Sequence, residues 1–263
     1  MQRAACKILA GVLFLFAGSV RAADGPIYDV FAKALAPFAS ALFGGADGKP
    51  ASFVAECTVT GATGRLVPAL GIRLRIAMQS PDRLRLDVVT NGNLLTACRN
   101  GKELWATPAG PMRSLAEAAG IDTTKTVPDA VSVPLVPISL NAQMLAFLPI
   151  VFDVKDLGPE ADPPQRVLEF GLLPEVRDAI KAPPFSAKAW IGPDGRPARV
   201  AVGGEDYSLD LKVDKLDFAG ELAPTAWEPP EGTEALRLPA SALNDLFEKM
   251  LGTKQPPPSP APQ

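Results

Sequence analysis

The sequence predicts an α+β fold in which short α-helices lie on one side of an antiparallel β-sheet. Apolar and polar residues alternate with a period of two through most of 53–107 and again within 167–213, a pattern typical of strands with one buried face. Turn sequences such as Ser80-Pro81-Asp82 and Asn91-Gly92 separate the alternating segments. Proline supplies 28 of 263 residues, about twice its usual share, which disfavours long uninterrupted helices.

Composition excludes several classes of function. The chain has no histidine, so Ser-His-Asp hydrolases, Cys-His proteases and His-ligated metalloenzymes are ruled out. No Cys cluster has the spacing of metal ligands, and Gly203-Gly204 lacks the residues of a phosphate-binding loop. Acidic residues such as Asp87 and Asp210 fall in polar phases of strands, where we expect solvated faces. The sequence therefore predicts no enzyme, no cofactor and no metal.

Residues 1–22 have the features of a cleaved signal peptide. A basic start is followed by an apolar run over 8–18 and by small residues at Val20 and Ala22, which predicts cleavage after Ala22. The alternative, a membrane anchor, is disfavoured because the apolar run is shorter than a span of about 20 residues. Cys6 lies in the basic start and not at the cleavage point, so we expect no lipidation.

Cleavage would leave 23 basic and 29 acidic residues, a net charge of −6. An acidic, dispersed surface disfavours nucleic acid and anionic headgroups as partners. No later apolar stretch is long enough to cross a membrane. We expect a soluble monomer in the periplasm, with one domain over 23–252 and a disordered, Pro-rich tail over 253–263.

The elements follow in order along this domain. The spacing of apolar residues predicts a first helix over 27–43, with a kink at Pro37. The alternation predicts strands at 53–59, 72–78, 83–88, 94–99, 103–107, 167–172, 185–191, 198–202 and 207–213. Between the two groups, 109–160 interrupts the sheet with helical segments at 112–120 and 141–148, and a last helix covers 243–250. The apolar part of this interruption is either a layer that covers the sheet or a lid that faces a ligand.

Two cysteines remain after cleavage, Cys57 and Cys98. An oxidising compartment favours a disulfide between them. Their predicted strands are the first and fourth of a run of hairpins, however, so about 14 Å separates them where a bridge allows about 7 Å. The sequence leaves both states open.

Four short motifs, in the same order along the chain, resemble those of one family. They are Pro81-Asp82-Arg83-Leu84-Arg85-Leu86, Asn100-Gly101-Lys102-Glu103-Leu104-Trp105, Gly192-Pro193-Asp194-Gly195 and Trp227-Glu228-Pro229-Pro230-Glu231-Gly232. Over about 27–236 the chain resembles the bacterial outer-membrane lipoprotein carriers, the LolA-like periplasmic family. The resemblance implies a curved, half-open β-barrel with an apolar concave face covered by helices. Carriers that accept lipoproteins keep an Arg where this chain has Ser80, so hand-over of lipoproteins is in doubt.

Two functions follow from this resemblance. The first is a carrier or chaperone that holds a lipid or a lipoprotein acyl chain in a hydrophobic cavity. The second is a regulatory or scaffold domain of the same fold that binds an envelope protein. The predicted cavity lining is aliphatic and comes from the apolar phase of the strands and from the covering segment. It comprises Ile72, Leu74, Ile76, Met78, Leu84, Leu86, Val88, Leu94, Leu145, Phe147, Leu148, Leu209 and Leu211.

Overall fold

The alternating segments form one open, eleven-stranded antiparallel sheet. The structure is a computed structural model that describes residues 25–43, 51–64, 66–132, 148–160, 164–180 and 184–243. Its strands are β1 (Ser52–Gly64), β2 (Arg73–Gln79), β3 (Arg83–Thr90), β4 (Asn93–Asn100), β5 (Glu103–Thr107), β6 (Phe152–Glu160), β7 (Gln165–Leu172), β8 (Ser186–Ile191), β9 (Pro197–Gly203), β10 (Tyr207–Ala219) and β11 (Leu236–Pro239).

The strand order is β11-β5-β4-β3-β2-β1-β10-β9-β8-β7-β6. The long strands β1 and β10 pair in the middle and join a half built from β2–β5 and β11 to a half built from β6–β9. Within the described residues β6 and β11 are edge strands, so the sheet does not close. Two register shifts in β1, at Glu56/Cys57 and Val59/Gly61, are the kind of irregularity that bends a strand. The predicted α+β fold with an open antiparallel sheet is confirmed.

Four α-helices accompany the sheet in the described chain. They are α1 (Gly25–Phe43), α2 (Ala109–Ala118), α3 (Leu148–Val151) and α4 (Pro174–Ile180). Helix α1 continues through Pro37, and the Ser40 hydroxyl donates to the carbonyl of Ala36 at 3.1 Å. No helix in the described ranges has the length and apolarity that a membrane span requires.

Two strands and one helix were absent from the sequence prediction. The strand β6 lies inside the stretch 109–160, which we expected to interrupt the sheet. Its alternation is short, because a bulge between Asp156 and Gly158 and the following Pro159 disturb the pattern. The four-residue β11 and the helix α4 are equally short. The predicted segment 141–148 lies outside the described residues except for Leu148, and the last predicted helix is described only for residues 241–243, where the chain is helical.

Helix α1 defines the inner face of the sheet, against which it packs. At the β6 end, Phe31 packs with Val154, Leu168 and Ala189. At the β1 end, Ala41 packs with Phe53, Ala55 and Cys57, and Phe38 packs against this second cluster. The helix therefore crosses from the β6 edge to the centre of the sheet and covers the inner face over that distance.

The outer face carries a core of its own. Ala77, Cys98, Trp105 and Trp227 form a buried cluster, with Leu222 and Ala226 packed against it. The indole nitrogen of Trp105 donates to the carbonyl of Trp227 at 2.8 Å. The segment after β10 thus folds back over the outer face of β2, β4 and β5.

Asp87, which we expected on a solvated face, is buried in this region and is only 6% exposed. Its carboxylate accepts hydrogen bonds from Thr96 Oγ1 at 2.7 Å, Arg85 Nε at 2.9 Å and Arg75 Nη1 at 3.2 Å. Arg85 also donates to the carbonyl of Ala226 at 2.9 Å. The expectation was wrong because the chain after β10 covers these strands, a contact that alternation along a strand does not reveal.

Candidate functional site

Among the described residues, two helices cover the inner face and leave a gap between them. On one side α1 covers β1, β2, β6, β7, β8 and β10. On the other side α2 closes over β5 and β11, where Ala109, Leu236 and Leu238 form a buried cluster with Leu104 and Met112 against it. Strands β3 and β4 lie between these two covers.

The gap exposes a row of aliphatic side chains, here called the trough. Cross-strand pairing sets Leu84, Leu86 and Val88 of β3 on the same face as Ala97 and Leu95 of β4. Leu86 is 36% exposed and the other four are partly buried. None of these five belongs to the buried clusters that the described residues form or is packed against one. Within the described part of the chain, the trough is therefore an apolar surface on the inner face of β3 and β4 that no helix covers.

The predicted lining residues divide into two groups around this trough. Leu84, Leu86 and Val88 form its β3 row. Each of these three residues pairs with an apolar residue of β2. The β2 residues, together with Leu211, pack into the core beneath α1. These core-packed members of the prediction are Leu74, Ile76, Met78 and Leu211. They form one wall of the trough.

Leu209 and Ile72 lie further from the trough. Leu209 pairs with Val202 of β9, on the inner face but in the other half of the sheet. Ile72 lies one residue before β2, and its carbonyl accepts the amide of Val59 at 2.9 Å. Of the covering segment, Leu145 and Phe147 lie outside the described residues, and Leu148 begins α3.

Leu94 does not lie in the trough, and its place there is taken by Leu95. The two-residue turn Asn91-Gly92 pairs Leu94 with Val89, whereas Leu95 pairs with Val88. Residues that pair across an antiparallel ladder point to the same face, so Leu94 belongs to the outer face, where it is 49% exposed. Counting outward from the turn would have identified Leu95.

The same register brings a buried arginine to one end of the trough, a residue that sequence reasoning missed. Arg99 pairs with Leu84 and Leu104 on the inner face and is only 3% exposed. Burial lowers the pKa of Arg99, while the negative charges of Asp82 and Asp129 oppose that shift. The trough is therefore aliphatic along its length and charged at the end near the β4–β5 turn.

Hydrogen bonds close this charged end. The amide of Asp129 donates to the carbonyl of Lys102 at 2.9 Å. The Asp129 carboxylate accepts from the amide and hydroxyl of Ser241, at 2.7 and 2.9 Å. The hydroxyl of Ser132 donates to Asp82. These contacts tie the segment after α2 to the β2–β3 turn and to the end of β11.

The two cysteines are buried free thiols. Cys57 pairs with Leu74 on the inner face, whereas Cys98 pairs with Arg85 and Trp105 on the outer face. They lie three strands apart, as the predicted hairpin run requires. Burial raises the pKa of Cys98 to about 12, and burial together with Asp214 raises that of Cys57. Both thiols are therefore kept protonated and serve as packing residues.

Two concave, solvent-open cavities lie away from the trough. A cavity of about 540 Å³ lies on the outer face beside Trp105, Trp227, Pro229 and Arg237. A second cavity, of about 310 Å³, lies near Leu172 and Phe185 at the β7–β8 connection. Neither is lined by any of the predicted cavity residues. The predicted apolar surface is thus an open trough within the described structure.

The described residues define a class of protein: an open antiparallel sheet with a long helix across its inner face and an aliphatic strip that none of the described helices covers. No protein-family model and no curated protein matches the chain. Among solved structures, the chain is similar to the lipoprotein LppX of Mycobacterium tuberculosis, with 14% identity and a TM-score of 0.38 over 74% of this chain and 96% of that one.

Two further solved structures are similar to the chain. One is a LolA-superfamily protein from Nitrosomonas europaea, with 10% identity, a TM-score of 0.31 and coverage of 77% of this chain and 97% of that one. The other is an outer-membrane lipoprotein-sorting protein domain from Vibrio parahaemolyticus, with 8% identity, a TM-score of 0.28 and coverage of 78% and 97%. These are likenesses of fold.

Proposed function

We propose that the protein is a non-enzymatic carrier that holds a lipid or a lipoprotein acyl chain against the trough. The observation that carries this proposal is the uncovered aliphatic row of β3 and β4, at whose centre Leu86 remains 36% exposed. An apolar strip that the described core leaves partly exposed to water is a candidate binding surface. The lining of Leu, Val and Ala adapts its shape to a flexible chain.

The energetics suit an acyl chain of ordinary length. Each buried methylene contributes about 0.8 kcal/mol. A chain that buries ten of them gains about 8 kcal/mol before the cost of association, which removes at least about 4 kcal/mol. Ten methylenes therefore give binding in the millimolar range or weaker, and about fifteen must be buried for binding in the micromolar range. Such modest affinity suits a carrier that must release its ligand.

The same proposal includes the cellular compartment, which is the periplasm. Cleavage after Ala22 would deliver a soluble chain that starts at Ala23 to the periplasm. A carrier there would shield an acyl chain from water between two membranes. N-terminal sequencing of the protein isolated from the cell envelope tests this step, and a chain that still begins at Met1 would contradict it.

The test of binding compares two substitutions on adjacent strands. Leu86→Glu places a carboxylate in the trough and should abolish the uptake of a fluorescent fatty acid by the purified protein. Leu94→Glu makes the same change at a similarly exposed position of the outer face, and should leave uptake unchanged. Circular dichroism and thermal midpoints of both variants establish that each is folded.

Two outcomes would contradict the proposal. One is a wild-type protein that takes up no probe. The other is equal uptake by wild type and Leu86→Glu. In either case the alternative, a regulatory or scaffold domain that binds an envelope protein, becomes the better description.

A further inference from the structure

The connection between β1 and β2 presents two exposed apolar side chains. In this loop (residues 66–71), Val67 is 54% and Leu70 is 58% exposed. Its backbone is closed by hydrogen bonds from the amide of Ala69 to Leu66, at 2.8 Å, and from the amide of Gly71 to Val59, at 3.0 Å. The side chains of Val67 and Leu70 therefore project from a fixed support.

The loop lies at the open end of the trough. The chain leaves the loop through Ile72 and enters β2, where Leu74 pairs with Val88 of the trough. At the other end of the same strands, Arg99 and the hydrogen-bonded segment around Asp129 close the inner face. A chain that slides along the trough therefore enters and leaves beside Val67 and Leu70.

From this placement we propose that the loop (residues 66–71) docks the protein on the surface of a lipid bilayer, with Val67 and Leu70 inserted among the acyl chains. The proposal rests on the proposed function, because a bilayer is the source or destination of an acyl ligand. An apolar tip of two side chains is small enough to enter the boundary between headgroups and acyl chains without a preformed pocket.

The charges around the loop indicate which kind of bilayer it accepts. Arg73 is exposed at the start of β2, while Glu205 and Asp206 lie in the turn before Tyr207, which pairs with Gly64 at the end of β1. Charges of both signs flank the tip, so insertion depends on apolar area. We expect binding to uncharged phosphatidylcholine vesicles, with little dependence on salt.

Sedimentation with phosphatidylcholine vesicles tests this docking. The double variant Val67→Asp/Leu70→Asp should reduce the bound fraction at least about ten-fold, because two apolar side chains are lost from the contact. The matched control is Val127→Asp/Val131→Asp, which changes two exposed apolar residues, 75% and 71% exposed, beside the closed end of the trough. That control should bind vesicles as wild type does.

A second measurement does not depend on the double variant. Leu70→Trp should show a blue-shifted emission on addition of vesicles relative to the wild-type signal, whereas Val127→Trp should show none. An unshifted Leu70→Trp, a wild type that does not sediment with vesicles, or equal loss in the two double variants would overturn the docking proposal. So would vesicle binding that requires anionic phosphatidylglycerol and disappears in high salt.

Uptake of the fluorescent fatty acid in the absence of vesicles separates this proposal from the carrier proposal. Val67→Asp/Leu70→Asp should keep full uptake from solution while losing vesicle binding. If the variant loses uptake as well, the loop contributes to the trough itself and the docking role is contradicted. If wild type binds vesicles but takes up no probe, docking stands and the carrier proposal fails.

Discussion

The two halves of the inner face differ in what fills them. Beneath the first half of α1, the ring centroid of Phe31 lies 4.9 Å from that of Phe170 and 5.9 Å from that of Phe152. Near the end of the same helix, Phe38 lies 5.2 Å from Phe53 and 5.0 Å from Phe218. Strands β2, β3 and β4 contain no aromatic residue.

This contrast distinguishes the half that stabilises the fold from the half that we propose binds the ligand. Aromatic rings fill volume and make a close-packed core, so the half under α1 stabilises the fold. Aliphatic side chains on β3 and β4 leave an uncovered strip that costs stability unless something occupies it. The four predictions below each test that division.

The largest effect should come from the covered half. Phe31 is 3% exposed and touches two other rings, so Phe31→Ala should lower the free energy of unfolding by about 3–5 kcal/mol. Leu86→Ala in the trough should cost less than about 1 kcal/mol, because Leu86 is already partly in water. Urea denaturation measures both, and equal costs would show that the trough is an ordinary packed core.

Contacts on the outer face stabilise the strands that form the trough. The substitution Asp87→Ala tests this. The change leaves Arg85 and Arg75 without their shared carboxylate and should cost about 3 kcal/mol, as for other broken buried ion pairs. The control is Asp217→Ala, whose pair with Lys215 is exposed on both sides and should contribute no more than about 1 kcal/mol. A small cost at Asp87 would mean that the trough strands depend on their inner face after all.

The thiol of Cys98, in the outer-face core, should make stability depend on alkaline pH. Its pKa is raised from 9.0 to about 12 by burial. Below pH 9 the thiol is neutral in both states and has no effect. Between pH 9 and about 12 the unfolded chain releases the proton while the folded chain retains it, so stability falls by up to about 1.4 kcal/mol per pH unit.

Denaturation of wild type and Cys98→Ala at several pH values isolates this contribution. The difference in unfolding free energy between the two should shrink, and then reverse, as the pH rises above 9. A constant difference would mean that Cys98 titrates in the folded protein as it does in the unfolded one.

The smallest change in stability should accompany an aromatic placed in the open half. Ala97 lies in the trough, between Leu86 and Ala106 in the ladder. Ala97→Phe should change the free energy of unfolding by no more than about 1 kcal/mol, because the ring occupies open space. It should weaken uptake of the fatty-acid probe about ten-fold, whereas Leu94→Phe on the outer face should not. Unchanged uptake in Ala97→Phe would place the ligand elsewhere.

Local sequence was sufficient to predict most of the strands and the turns between them. Alternation at Leu84, Leu86 and Val88 identified β3, and Asn91-Gly92 sets a two-residue hairpin whose register follows by counting. That count also assigns Leu95 to the trough and Arg99 to its end. The errors at Leu94 and Arg99 were thus avoidable from the sequence, because hairpin register is a short-range property.

Burial of Asp87 and the division of the inner face were decided by tertiary structure. Asp87 is buried because residues after β10 fold over strands more than a hundred positions earlier in the chain. Helix α1 docks towards β6, where the hydroxyl of Tyr28 donates to the carbonyl of Phe152 at 3.2 Å, 124 positions away. Its described contacts therefore do not extend to β3 and β4. Apolar periodicity shows which face of a helix or strand becomes buried. The element against which that face packs depends on the packing of the whole chain. Sequence alone therefore determined an apolar inner face, and only the tertiary structure decided that the described helices pack on either side of β3 and β4.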